Sequence, residues 1–219
     1  MKLNWAERWA VNNPLRIVQQ LAEIRWMRRK VGDLSKGERF LEVGSGRGVG
    51  GRLILRHWGP RCLHLTDLDM EMIKRARRYP GPGPSPRVRL LVADAVHLPY
   101  PSGIFDAVFG FGVMHHVPSW REALAEVARV LRRGGIYFME ELYPSLYANE
   151  LTGRILLHPK EDRFDSISWH EACGECGFEI KHSIESPRLG ILAVAELKAL
   201  RGFDQKMEAT SADPSIPKG

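Results

Sequence analysis

The feature that most constrains the fold of this chain is a glycine-rich segment that directly follows a short apolar run. The apolar run contains an acidic residue, Glu42, and the loop behind it carries Gly44, Gly46 and Gly48. Glycines at this spacing let a backbone loop approach a nucleotide-like ligand closely, because they present no Cβ. A dinucleotide fingerprint needs its third glycine where this chain has Val49, so the spacing disfavours a nicotinamide dehydrogenase.

Length and composition predict one domain in a reducing compartment. The 219 residues, 44% of them hydrophobic, fill one core and leave little for a second. No apolar run of about 18 residues occurs, and the amino terminus lacks the apolar core of a secretion signal. Three cysteines, an odd number, cannot form a complete disulfide framework: Cys62, Cys173 and Cys176. We therefore expect a cytoplasmic protein without a membrane span.

The formal net charge of +6 predicts a basic surface, which could favour anionic substrates, nucleic acid or acidic lipid headgroups. Many of the arginines lie in predicted helices, where basic residues on solvated faces are ordinary. Stacking aromatic residues are not interleaved with the basic runs, so nucleic acid is not the expected partner.

Two helices are predicted ahead of the glycine segment, over residues 3–12 and 14–31. Asn13 suits the cap of the second helix, and Pro14 suits its first turn. Apolar residues at spacings of three form one stripe on this helix: Leu15, Val18, Leu21 and Ile24. The stripe is predicted to dock the helix on the domain. The first helix carries an aromatic pair that could form a lid over an acceptor or simply anchor the helix, Trp5 and Trp9.

Strands and helices alternate through the rest of the chain. Strands are predicted over residues 40–43, 62–66, 88–92, 105–110, 136–141, 178–186 and 190–197. Helices are predicted over about 48–58, 70–79, 119–132 and 169–176, with a helix and polar loop over 144–165. The alternation predicts an α/β fold, a Rossmann-like doubly wound and mostly parallel seven-stranded sheet with an N-terminal helical appendage.

This pattern divides the chain into three parts. Residues 1–37 are predicted to form an N-terminal helical cap or lid, and residues 38–200 the ligand-binding domain. Residues 201–219 have the composition of a disordered tail. The last two strands are predicted to pair as an antiparallel hairpin around the turn at residues 187–190.

Acidic residues follow the second and third strands, at the sheet edge where open α/β sheets bind ligands. Asp67 lies about 20 residues after the glycines, a place suited to holding both hydroxyls of a ribose. Asp69 suits the cap of the next helix, whose Met72 would turn toward an adenine face. Asp94 can accept from an exocyclic amine while the adjacent backbone donates to the base.

The motif Glu42-x-Gly44-x-Gly46-x-Gly48 resembles the first motif of class I S-adenosylmethionine-dependent methyltransferases. The resemblance covers residues 38–142. Within the family, this segment is similar to the small-molecule, type 11-like group, which includes quinone, sterol and phosphobase enzymes. The resemblance also rests on segments 98–109, 115–118 and 123–135.

The resemblance implies S-adenosyl-L-methionine as the cofactor, within a shell that spans four strand ends. That shell, with Met72 added from the helix pattern, consists of Glu42, Gly44, Gly46, Asp67, Leu68, Met72, Asp94, Ala95 and Phe111. Simpler roles stay open for three of its members. Glu42 could cap the following helix, Asp94 could close a turn, and Phe111 could be plain core.

The implied reaction is transfer of a methyl group to a heteroatom, or less readily a carbon, of a small-molecule acceptor by in-line displacement. Such a reaction mainly requires alignment and exclusion of water, although a base helps an acceptor that must lose a proton. Candidate bases follow the fourth strand and end the fifth, His116 and Glu140. The histidine could instead pack or cap, and the glutamate could bind only solvent.

Three alternatives stay open on the sequence. His170, Cys173 and Cys176 recur every three residues, which could indicate an arsenic-directed methyltransferase. The pattern offers only three ligands, and this small number argues against a metal site. The basic charge leaves an RNA-directed enzyme possible, with a steep dependence of affinity on salt. The chain could also be a non-catalytic module that only binds the cofactor. The acceptor site is expected to be shaped by the amino-terminal helices and residues 143–165.

Overall fold

The computed structural model describes residues 14–34, 38–78, 85–147 and 162–198. The helix predicted over 3–12, with Trp5 and Trp9, and the tail predicted over 201–219 lie outside the described residues.

Seven strands and six α-helices alternate along the described part of the chain. In order they are α1 Pro14–Val31, β1 Arg39–Val43, α2 Val49–Trp58, β2 Cys62–Asp67, α3 Met70–Arg78, β3 Val88–Val92, β4 Phe105–Phe111, α4 Trp120–Val130, β5 Leu131–Leu142, α5 Pro144–Tyr147, α6 Ser166–Glu175, β6 Phe178–Ser186 and β7 Gly190–Leu197. A 3₁₀ turn, Met114–His116, connects β4 to α4.

The strands form one sheet in the order β3-β2-β1-β4-β5-β7-β6. The first five strands run parallel, and β7 pairs antiparallel with both β5 and β6. This confirms the predicted doubly wound, mostly parallel sheet with a closing hairpin. The chain leaves β1 toward β2 and β3 and later returns to the other side of β1 with β4. The β1–β4 boundary is therefore the switch point at which such sheets bind ligands.

Each face of the sheet is covered by its own hydrophobic cluster. One cluster packs α4 and α6 through Trp120 and Trp169. The other packs α1 and α2 against the opposite face, where Phe109 and Phe138 stack with ring centroids 4.5 Å apart. Burial on both faces explains why the central strands read as apolar runs and not as alternating patterns.

The predicted docking stripe of α1 is wrong. Leu15 and Val18 are 74% and 66% exposed, and of that stripe only Ile24 is fully buried. The buried face is rotated toward a partly polar stripe, Gln20, Glu23, Ile24 and Met27. This face forms the ion pairs that are described below. Ile24 and Met27 also pack it against the sheet.

Two element boundaries differ from the predictions for local reasons. β5 begins at Leu131 and not near residue 136, because Leu131 pairs with Phe105 before a register shift in β4. α6 begins at Ser166 because Asp165 caps it: the Asp165 side chain accepts from Ser168 N at 2.9 Å, and Ser168 Oγ accepts from Asp165 N at 3.0 Å. Residues 148–161 of the segment predicted over 144–165 lie outside the described residues.

Every helix in the described ranges is too short or too polar to cross a lipid bilayer.

Candidate functional site

One cavity of about 420 Å³ lies at the carboxyl ends of the parallel strands, next to the β1–β4 boundary. The amino-terminal part of α1, the loops after β1, β2 and β3, and the turn after β4 all contribute to its wall. Among its lining residues are all nine predicted cofactor-shell residues and one of the two candidate bases: Glu42, Gly44, Gly46, Asp67, Leu68, Met72, Asp94, Ala95, Phe111 and His116. Its volume is within the range of small-molecule sites, about 300–1,000 Å³.

The glycine loop requires glycine at two of its positions. Gly44 has φ 68°, and a Cβ there would lie 2.5 Å from Cγ2 of Val113. Gly46 has φ 52° and no heavy atom within 4 Å of a Cβ position, so the backbone itself faces open space. A side chain at either position is strained by the left-handed backbone. The loop thus leaves room for a ligand against its backbone.

Glu42 is buried beneath the amino terminus of α2 and also lines the cavity. Burial raises its pKa to about 8, repulsion from Asp67 adds to the increase, and the N–H of Gly51 opposes it. A Cβ at Gly50 would overlap Glu42 Oε1, so glycine there makes room for the carboxyl group. The capping role left open for Glu42 and its place in the cavity wall are therefore compatible.

Asp67 organises the two loops that meet at the end of β2. Its Oδ2 accepts from Gly46 N at 2.8 Å, and its Oδ1 accepts from Asp69 N at 2.8 Å. Burial raises the pKa of Asp67, whereas these two N–H groups lower it. Each carboxylate oxygen has a further lone pair, so Asp67 can still accept from a ligand hydroxyl. Nothing in the sequence pattern indicates its hydrogen bond to the glycine loop.

Asp69 caps α3, as predicted. Its Oδ1 accepts from Glu71 N at 3.0 Å, and its carbonyl oxygen accepts from Met72 N at 2.9 Å. Met72 is buried and lines the cavity, and Leu68 lies on the cavity wall with 38% of its surface exposed. An apolar wall beside two carboxylates suits a nucleoside, which has a flat base and a polar sugar.

Asp94 and Phe111 bring two further strand ends to the cavity. Asp94 Oδ1 accepts from Val96 N at 3.2 Å, so this residue does close a turn, as its simpler role required. Asp94 is nevertheless exposed, and it lines the cavity. Phe111 is mostly buried and stacks on Phe109, with ring centroids 6.2 Å apart. It serves the core and the cavity wall at once.

His116 reaches the cavity from the 3₁₀ turn, which Glu141 anchors. Glu141 is fully buried on β5, and its Oε1 accepts from the N–H groups of Val113 and Met114 at 3.2 and 2.9 Å. Its Oε2 accepts from His115 N at 3.3 Å and lies 2.8 Å from His115 Nδ1. A single carboxylate therefore fixes the turn that positions His116.

Glu140 does not line the cavity. Its Oε2 accepts from Arg16 Nη2 at 2.7 Å, and Arg16 Nη1 donates to Glu23 Oε1 at 3.0 Å. Burial raises the pKa of Glu140 to about 7, Arg16 opposes the increase, and Glu23 and Glu141 add to it. Arg16 lines the cavity and binds this carboxyl group, whereas Glu140 itself does not line it. A general base needs direct contact with the substrate, and Glu140 lacks that contact here.

The sequence prediction missed Arg16 and Gln20, the two α1 residues in the cavity wall. A signal was available: both lie on the same helical face as Glu23 and Met27, at spacings of three and four residues. Polar side chains on the face that also carries a buried methionine indicate a polar contact with the domain. Burial disfavours the charged form of Arg16, but Glu140 and Glu23 outweigh it and raise its pKa.

The cysteines lie apart from the cavity. Cys173 is buried in the hydrophobic cluster that packs α4 and α6, and burial raises the pKa of its thiol. Burial likewise raises the pKa of Cys176. Neither residue is among those that line the cavity. Within the ranges that the structure describes, no group of three or more His, Cys, Asp or Glu residues is placed to hold a metal ion.

Comparison with known families matches residues 41–139 to the model described as a methyltransferase domain. The fatty-acid O-methyltransferase of Mycolicibacterium smegmatis is 36% identical over 109 residues, which are 50% of this chain and 39% of that protein. The phthiotriol/phenolphthiotriol dimycocerosates methyltransferase of Mycobacterium tuberculosis is 33% identical over 112 residues, 50% of this chain and 39% of that protein. The chain thus spans about two fifths of the length of these relatives.

Solved structures share the fold over most of the chain. An S-adenosylmethionine-dependent methyltransferase from Mesorhizobium loti has a TM-score of 0.66 at 20% identity, covering 80% of this chain and 97% of that one. A putative methyltransferase in complex with the Haloferax volcanii Trm112 activator has a TM-score of 0.69 at 17% identity, covering 87% and 96%. At these identities the likeness concerns the fold alone.

Proposed function

Because this chain carries a class I S-adenosylmethionine-dependent methyltransferase domain, we propose that it transfers the methyl group of S-adenosylmethionine to a heteroatom of a small, largely apolar acceptor. The observation that carries the proposal is the composition of one cavity. The glycine loop, Asp67, Asp94 and a candidate base, His116, all line it. Recognition of a nucleoside and uptake of a proton could therefore occur side by side.

S-adenosylmethionine, when bound, supplies a methyl group that is electrophilic because it is attached to a sulfonium. The chain then has to hold the acceptor in line with the breaking bond and keep water out. We assign to Asp67 a contact with the ribose hydroxyls, and to Asp94 a contact with the amine of the base. The same assignment gives His116 the proton that an amine, thiol or hydroxyl acceptor loses.

We assign to Glu140 a positioning role and not the direct contact with substrate that its place at a strand end first suggested. It lies behind Arg16, at 2.7 Å, and outside the cavity wall. Through this ion pair it fixes the guanidinium group at the cavity and joins α1 to β5.

Two observations support an apolar acceptor. The cavity-lining residues that flank His116 along the chain include Val113, Val117 and Pro118, which offer no charge to a substrate. The two relatives described above carry the names of lipid substrates, a fatty acid and the phthiotriol dimycocerosates. The proposed acceptor class is accordingly a lipid or another small hydrophobic molecule with a carboxyl, hydroxyl, amine or thiol group.

The test is methyl transfer from methyl-labelled S-adenosylmethionine to a panel of acceptors, with apolar products extracted into organic solvent and RNA or arsenic products recovered from the aqueous phase. The panel holds fatty acids, hydroxylated lipids and apolar amines and thiols, with total RNA and arsenite as comparisons. We expect label in at least one of the apolar acceptors and none in RNA or arsenite. A Cys173→Ser variant should retain full turnover, because Cys173 lies outside the cavity.

Three outcomes would contradict the proposal. Label found only in RNA, with a steep salt dependence, would indicate an RNA-directed enzyme. Turnover of arsenite that needs Cys173 and Cys176 would indicate the metalloid reaction. Saturable binding of S-adenosylhomocysteine without turnover of any acceptor would indicate a module that binds the cofactor and does not use it.

A further inference from the structure

The face of α1 that points away from the sheet carries apolar side chains toward its amino-terminal end and basic side chains toward its carboxyl-terminal end. Positions 15, 18, 22, 25 and 29 follow one another at spacings of three and four residues, so they share one face of the helix. The first two are Leu15 and Val18, which are 74% and 66% exposed. The last two are Arg25 and Arg29, which are also exposed. We call these five residues the outer face of α1.

Further positive charge adjoins the basic end of the outer face. α1 packs on α2, where Arg28 Nε donates to the carbonyl oxygen of His57 at 2.9 Å. Burial lowers the pKa of His57, and the charges of Arg25, Arg56 and Arg28 lower it further. The acidic residue within α1, Glu23, is buried on the opposite face and paired with Arg16. The exposed charged side chains within α1 are therefore all cationic, and the partly exposed Arg28 is paired with the exposed Asp33 just beyond the helix.

Further apolar surface lies on the same side of the sheet. Ile184 is 57% exposed and pairs with Leu192 across the β6–β7 ladder, so both side chains point to one face. Leu192 packs in the cluster that holds Ile24 and Met27 of α1. Ile184 is thus on the face of the sheet that α1 covers.

The apolar end of the outer face is also the end at the cavity. Arg16, the neighbour of Leu15 in the chain, lines the cavity wall. A surface that received Leu15 and Val18 would therefore lie beside the cavity. The arginines lie farther along the same helix, where they could contact anionic groups at the level of such a surface.

We propose that the outer face of α1 docks the protein on an anionic lipid surface, with Leu15 and Val18 inserted at the headgroup boundary and Arg25 and Arg29 against the acidic headgroups. Interfacial helices bind through buried apolar area together with attraction to anionic lipids, and this face offers both. RNA is the less suitable partner, because none of the five outer-face residues is aromatic and the neighbouring Trp26 is partly buried against the apolar cluster beneath α1.

The experiment measures co-sedimentation of the protein with vesicles of pure phosphatidylcholine and with vesicles that also contain phosphatidylglycerol. Neither cofactor nor acceptor is present, so the result is independent of the proposed methyl transfer. We expect binding to the anionic vesicles, weakened by salt, and little binding to the neutral vesicles. The Arg25→Gln/Arg29→Gln variant should lower the partition coefficient at least about tenfold, since each cation near the surface contributes about fivefold.

Two further variants separate the parts of the surface. Leu15→Ser/Val18→Ser should also lower binding at least about tenfold, because it removes the inserted apolar groups. The matched control, Arg87→Gln/Arg89→Gln, removes the same charge from the region of β3, at the far edge of the sheet, and should bind like the wild type. Far-UV circular dichroism checks that each variant is folded, as expected for exposed positions.

Equal binding to neutral and anionic vesicles, or wild-type binding by either α1 variant, would overturn the proposal. So would an equal loss of binding in the β3 control, since net charge alone would then account for the attraction. Tight binding of an RNA oligonucleotide that needs Arg25 and Arg29 but is indifferent to Leu15 and Val18 would assign the face to nucleic acid. Absence of vesicle binding with normal methyl transfer would overturn this inference and leave the proposed function standing.

Discussion

At the scale of single residues, the cavity region contains carboxyl groups that hold protons unusually well. Burial raises the pKa of Glu42 to about 8 and that of Glu140 to about 7. Both values lie above the ordinary range of a glutamate. At a pH between the ordinary pKa and the raised pKa, the folded chain therefore binds more protons than the unfolded chain. The stabilising contribution of each group is present at low pH and is lost as the pH rises through the raised value.

Folding stability should therefore fall as the pH rises from about 4.5 to about 8, and the range from pH 6 to pH 8 is the most convenient interval for measurement. From the raised pKa of Glu42 alone, we expect the free energy of unfolding to decrease by about 2 kcal/mol over this interval. Urea denaturation at several pH values measures it. The Glu42→Gln variant should show a smaller decrease in the free energy of unfolding. The decrease that remains in this variant should come from Glu140. An unchanged slope in this variant would show that Glu42 does not hold the proton.

Replacement of His116 tests its proposed part in the reaction. His116→Asn should lower kcat by about 10²-fold or more while binding of S-adenosylhomocysteine changes little, because proton uptake matters only during transfer. Steady-state kinetics and calorimetry give the two quantities. Glu140→Gln serves as the comparison, and it should lower kcat less than His116→Asn does, because Glu140 lies outside the cavity wall. An equal loss of cofactor binding in His116→Asn would instead make His116 part of the cofactor site.

At the scale of elements, the 3₁₀ turn and α1 are held by buried charged side chains as well as by apolar packing. Glu141 accepts from three successive backbone N–H groups of the turn. Arg16 joins Glu23 on α1 to Glu140 on β5. Each element would be left with uncompensated polar groups if its central side chain were changed.

Glu141→Gln should destabilise the protein by about 3 kcal/mol, because an amide cannot accept as many of these buried N–H groups as a carboxylate does. Urea denaturation measures the change. Glu196→Gln, on the partly exposed side of β7, is the matched control and should change stability by less than about 1 kcal/mol. Similar values for both variants would mean that the turn does not need its anchor.

Arg16→Gln should loosen α1, because Glu23 and Glu140 would face each other without the guanidinium group between them. We expect a loss of about 3 kcal/mol and faster hydrogen exchange at the amides of α1. Arg25→Gln changes the same residue type on the exposed face of the same helix and should alter neither quantity. Unchanged exchange in Arg16→Gln would show that apolar contacts alone dock α1.

At the scale of the whole molecule, the parts that the sequence predicted are those that local patterns determine. The mostly parallel sheet and the cavity follow from alternating elements, the glycine loop, and the acidic residues at strand ends, of which Asp67 and Asp94 are examples. The docking face of α1 was not predictable from apolar spacing. It depends on Arg16 meeting Glu140, 124 residues later in the chain, and only tertiary structure brings the two together.

The same reason separates the two candidate bases. His116 follows β4 and Glu140 lies near the end of β5, so the sequence places both at the same edge of the sheet. In the structure His116 lines the cavity, whereas Glu140 lies behind Arg16. Position along a strand predicts which edge of the sheet a residue occupies, and the neighbouring elements decide whether its side chain reaches the ligand.

The measurement that tests the central claim most directly is calorimetric titration with S-adenosylhomocysteine. We predict saturable binding by the wild type, weakened at least about tenfold in Asp67→Ala, or about 1.4 kcal/mol. Asp33→Ala, an exposed carboxylate paired with Arg28 outside the cavity wall, should bind like the wild type. No binding at millimolar ligand, or equal affinity in Asp67→Ala and the wild type, would contradict the assignment of this cavity.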